Sequence, residues 1–82
     1  MSAPPMTVTS LKLPVHLEPK CQALLEDIQR AYTLSKALFA EQRAGACAES
    51  LGMTKAITAE EIEQLIALYQ QALTQRVAEW DQ

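Results

Sequence analysis

From Lys20 to Ala44 the chain contains no Gly, Pro or Asn. Nothing in that stretch forces the backbone to turn, so it is free to be one helix. The apolar residues agree. Leu17, Cys21, Leu24, Leu25, Ile28, Ala31, Tyr32, Ser35, Leu38 and Phe39 fall on one side at 3.6-residue spacing. Glu26, Arg30, Thr33 and Ala37 point away. The pattern predicts a first helix from about residue 17 to 44, or on to 51, spanning roughly 40 Å. Gly52 is the expected C′ residue with Met53 covering the last turn, and Gly45 is a tolerated weak point inside the helix.

A connection over residues 52–57 leads to ITAEEI. Thr58 and Glu61 have capping-box spacing, and Ile57 and Ile62 can form the hydrophobic staple. Glu60 and Glu61 suit the positive end of a helix dipole. The predicted helix, about 58–80, carries a second stripe: Ile62, Leu65, Ile66, Tyr69, Ala72, Leu73, Val77 and Trp80. Arg76 interrupts this stripe, either reaching water or anchoring an acidic partner. Leu34 and Leu68 lie well off the two stripes and offer a second contact surface.

These elements imply an all-α fold: a long antiparallel helical hairpin over residues 17–82 with an extended arm over 1–16. An 82-residue chain buries only a modest core. Two wide apolar stripes exceed what a single hairpin can cover, so a four-helix bundle is expected, formed as a homodimer or with another protein. The interface positions are Leu24, Leu25, Ile28, Tyr32, Leu38, Phe39, Ile62, Leu65, Ile66, Tyr69, Leu73 and Trp80, with Leu34, Leu68 and Arg76 as a further partner surface. A non-enzymatic adaptor, chaperone, inhibitor or accessory subunit is the function that follows.

The segment LKLPVHLEPKCQALL carries a different signal. Residues 8–13 alternate weakly as a strand, with Leu11 and Leu13 on one side and Ser10 and Lys12 on the other. Pro14 then suits a turn, and Pro19 suits the first turn of a helix. Residues 8–25 resemble the start of ribbon-helix-helix DNA-binding proteins, antitoxins among them. The resemblance implies a dimeric regulator in which Val8, Ser10 and Lys12 touch DNA, Leu11, Leu13, Leu17, Cys21 and Leu24 build the dimer core, and the C-terminal helix holds a partner. That family breaks after its first helix. Here the equivalent EDIQRAYTLSKAL has no turn residue beyond Thr33, a candidate N-cap.

Chemistry-bearing residues are sparse. His16 is the single histidine, and Cys21 and Cys47 are too far apart for a metal-binding CxxC. The sequence predicts reduced thiols, no metal, no cofactor and no catalytic site. A net charge of −3 opposes broad nucleic-acid or membrane binding, leaving nucleic acid to the ribbon-helix-helix alternative. MSAPPMTVTS has no apolar core of a secretory signal and no apolar run reaches membrane-spanning length, so a cytoplasmic location is expected.

Overall fold

In the computed structural model, which describes residues 13–80, the chain forms three helices: α1 (Glu18–Arg30), α2 (Leu34–Met53) and α3 (Ala59–Trp80). There is no strand among the described residues. Each helix packs against both of the others around one core. Residues 8–12, where the ribbon is expected, lie outside the described residues.

The main departure from the sequence reading is a break in the expected long helix. Residues Ala31–Thr33 form a short turn, so three helices stand where a hairpin predicts two. Ala31 turns extended, at φ −61° and ψ 136°, and its N–H donates to the Ile28 carbonyl at 3.3 Å. Thr33 is also extended, and its hydroxyl accepts from the Lys36 N–H at 3.1 Å, an N-cap for α2. From the far side of the fold Arg76 Nε donates to the Ala31 carbonyl at 2.6 Å. The turn is thus capped locally on one side and pinned by α3 on the other.

The break resets the phase of α2. Ala37, expected to point away, is fully buried, and Ala44 and Ala48 continue its line. Tyr32, Leu38 and Phe39, expected on the core face, are exposed. Small side chains along one face let a helix axis approach its neighbours closely, and α2 uses three alanines for this.

The end of α2 also differs from the expected one. Gly52 is not the C′ residue. The helix runs on to Met53, Thr54 is the C-cap, and Lys55 takes the left-handed conformation at φ 61°. Lys55 N–H bonds the Gly52 carbonyl at 3.0 Å and Ala56 N–H bonds the Leu51 carbonyl at 2.9 Å, a Schellman motif. Met53 covers nothing, being 86% exposed. Gly52 serves packing instead: a Cβ there would collide with the Ile62 side chain. The end of α2 therefore lies directly against the first turns of α3.

Helix α3 opens with a complete capping box. Glu61 N–H donates to Thr58 Oγ1 at 3.1 Å, and Thr58 N–H donates to Glu61 Oε1 at 2.8 Å. Ile57 is buried just before it. Tyr69 Oη donates to the Cys21 carbonyl at 3.1 Å within the core. With the Arg76–Ala31 bond, this orders α1 and α3 in the same direction. The core contains Leu13 and Leu17 from the lead-in to α1, Cys21, Leu25 and Ile28 from α1, and Leu65, Tyr69 and Ala72 from α3. Complete burial of a leucine or isoleucine contributes about 1.5–3 kcal/mol, so these side chains dominate the packing energy. No buried polar side-chain atom among the described residues lacks a partner.

Candidate interaction surface

The three-residue turn and the alanine face of α2 together fix what α2 shows to the outside. Ala37 faces inward, so its neighbour Leu38, about 100° further round, cannot. Leu34 is 52% exposed, Leu38 42% and Phe39 61%. Leu34 and Leu38 stand one turn apart, as i and i+4. Tyr32 projects from the turn just ahead of them and is also exposed. The larger apolar side chains of the first half of α2 thus face solvent while its small ones fill the core.

Two cations flank this strip. Lys36 Nζ lies 4.0 Å from the centre of the Tyr32 ring and bonds its hydroxyl. The Arg43 guanidinium lies 6.0 Å from the centre of the Phe39 ring. Both pairs have i, i+4 spacing, which brings side chains together on a helix surface. No carboxylate pairs with Lys36 or Arg43 among the described residues; the ion pairs there are Arg30–Glu26 at 3.5 Å and Arg76–Glu79 at 2.8 Å. Residues 30–43 hold Arg30, Lys36 and Arg43 against Glu41 alone, a local +2 in a chain of net −3.

No protein-family model, no curated protein and no solved structure matches this chain.

Other expected interface positions divide into two groups. Leu25, Ile28, Leu65 and Tyr69 are enclosed in the chain's own core. Leu24, Ile62, Ile66, Leu68 and Leu73 are half-buried and pack against that core. Trp80 is exposed near the end of α3, 5.2 Å from the Arg76 guanidinium at its ring centre. Arg76 itself is engaged with Ala31, Glu79 and Trp80. A shallow polar depression beside it is lined by Gln29, Ala72, Gln75, Arg76 and Glu79. Val8, Ser10 and Lys12 lie outside the described residues.

Burial raises the Cys21 thiol above its ordinary range, and burial does the same more strongly to the Tyr69 hydroxyl. Both groups are neutral packing residues near neutral pH. Cys47 is a half-buried free thiol and His16 is exposed in the turn before α1. Among the described residues no three His, Cys, Asp or Glu side chains gather as a metal site. None of the described helices is long and apolar enough to cross a membrane.

Reading the sequence for one continuous stripe put Leu38 and Phe39 among the apolar contact residues but passed over Lys36 and Arg43. The signal for the cations was present: two aromatic–cation pairs at i, i+4, in register with each other.

Proposed function

We propose that this chain is a small protein–protein interaction module whose contact surface is the outward face of α2 with the turn before it. One observation carries the reading. Helix α2 turns Leu34, Leu38 and Phe39 to solvent while committing alanines to the core. Single exposed apolar residues are ordinary, but here three large ones lie within six positions of one helix, next to the exposed Tyr32, and such a cluster marks a contact surface. The adaptor, inhibitor and accessory-subunit roles all use such a face, as does self-association.

A photo-crosslinking residue placed at Phe39 of the full chain tests this in extract from the source cells. Discrete protein adducts are expected, and a second substitution, Leu38→Asp, should abolish them. The same probe at Glu63 should give none. Equal, diffuse labelling from both positions overturns the reading.

A second reading is supported by the turn over Ala31–Thr33, since a ribbon-helix-helix chain requires a break after its first helix. Against it, Leu13, Leu17 and Cys21 are buried within this chain rather than left for a dimer core. A gel-shift assay at low salt distinguishes the two. A DNA complex weakened by Lys12→Ala supports the regulator, and absence of any complex removes it.

A further inference from the structure

Resting on the interaction reading, we infer that the outward face of α2 receives an acidic amphipathic helix from another protein. Leu34, Leu38 and Phe39 supply the apolar strip, and Lys36 and Arg43 supply charge along its edge. A helix laid in such a site presents apolar anchors at i, i+3, i+4 and i+7. Those anchors fit the i, i+4 leucines and the adjoining ring. The charge argument selects the flanking residues. Lys36 and Arg43 lie on one line of the helix, seven residues apart, with Phe39 between them, and neither has a carboxylate partner among the described residues. Each lies beside an aromatic ring instead; Lys36 also donates one N–H to the Tyr32 hydroxyl, and neither cation's other donors meet a carboxylate among the described residues. Glutamates or aspartates along the edge of the incoming helix would complete both cations. Lysines there would meet like charge.

The same features weigh against other occupants. A single-stranded nucleic acid binds by stacking bases on aromatic rings along a basic groove, and here two of the three apolar side chains of the strip, Leu34 and Leu38, are aliphatic. The leucines would also find no apolar counterpart on a phosphate backbone.

Two designed helical peptides of about 18 residues serve as probes. Both carry leucines at i, i+4 and i+7; one is flanked by glutamates and its twin by lysines. The full chain is titrated with each while backbone amide NMR signals are followed. The acidic probe is expected to bind roughly tenfold more tightly than its twin, to shift amides within residues 32–43, and to lose that advantage in high salt. The double variant Lys36→Glu/Arg43→Glu should reverse the preference, and its unchanged circular dichroism would show that the fold is intact. Equal affinity for the two probes overturns the inference. So do shifts confined to another surface, self-association through the same amides, or tighter binding of an oligothymidylate. Failure of the probes alongside a discrete, Leu38-dependent crosslink at Phe39 would reject the acidic partner and leave the interaction reading standing. Failure of both experiments would reject both.

Discussion

Two glycines show how far identical residues can differ in their physical roles. Gly45 sits inside α2 with open space where a Cβ would be, and Gly52 sits where a Cβ would meet Ile62. Gly45→Ala should therefore stabilise the fold by about 0.5–1 kcal/mol, because alanine restricts the unfolded chain and favours helix. Gly52→Ala gains the same helix preference but forces Ile62 aside, and overpacking of this kind costs about 1–3 kcal/mol. A net loss of about 1 kcal/mol is expected. Urea denaturation of the two variants checks both signs in one experiment. Lysine at 55 gives the same lesson from the other direction. Nothing in its side chain announces a left-handed residue, yet the Schellman hydrogen bonds put it there. Glycine at 52 looked like the better terminator because glycine usually is. Its actual role depends on Ile62, ten residues further on, and local sequence does not encode that proximity.

At the scale of the elements, the turn over Ala31–Thr33 decides the architecture. Half of its cause is local: Thr33 is a competent N-cap and its hydroxyl bond to the Lys36 N–H is made. The other half is Arg76, forty-five residues away, donating to the Ala31 carbonyl. A hydrogen bond from a charged donor contributes about 1.5–3 kcal/mol when well shielded. This one is only partly buried, so Arg76→Ala should cost about 1–2 kcal/mol. Its distinguishing mark is local. Amide hydrogen exchange should accelerate first around residues 29–33, at the end of α1, before the rest of the core. Uniform acceleration through all three helices would show instead that Arg76 acts through general packing. Helix α3 behaves differently because its start is set by neighbours in sequence. The Thr58–Glu61 capping box is legible from four residues and forms as those residues predict.

For the molecule as a whole, the core is stabilised by apolar burial, and a buried hydrogen bond from the Tyr69 hydroxyl to the Cys21 carbonyl crosses it. Both side chains resist ionisation in the fold, chiefly because burial disfavours the charged form. The ordinary values are 9.0 for the thiol and 10.0 for the phenol. On raising the pH through that range the unfolded chain releases these protons first, so the folded state loses ground. Their contribution is therefore complete below about pH 9 and is lost progressively above it. Tyr69→Phe should cost about 1 kcal/mol at pH 7 through the lost hydrogen bond. Above pH 10 it should remove a decline of up to about 1.4 kcal/mol per pH unit. Thermal or urea melts of the two proteins at pH 7, 10 and 11 would reveal it: the stability gap must narrow and then reverse. Parallel curves would show that Tyr69 is not the group responsible.

The amino-acid sequence by itself determined that the described chain is helical, that α3 begins at its capping box, and that Leu25, Ile28, Leu65 and Tyr69 lie on apolar stripes, though it assigned them to an interface and the structure encloses them in the chain's own core. These follow from spacing and capping, which act over a turn or two of helix. Only the tertiary structure decided where the first helix breaks and which side of α2 faces inward. Continuing the helix through Ala31–Thr33 or breaking it there changes the local energy by about 1 kcal/mol or less, too little to choose. Packing does choose, because three helices closing over Leu25, Ile28, Leu65 and Tyr69 bury several side chains at about 1.5–3 kcal/mol each. The turn that permits this closure is the same turn that leaves Leu34, Leu38 and Phe39 facing outward.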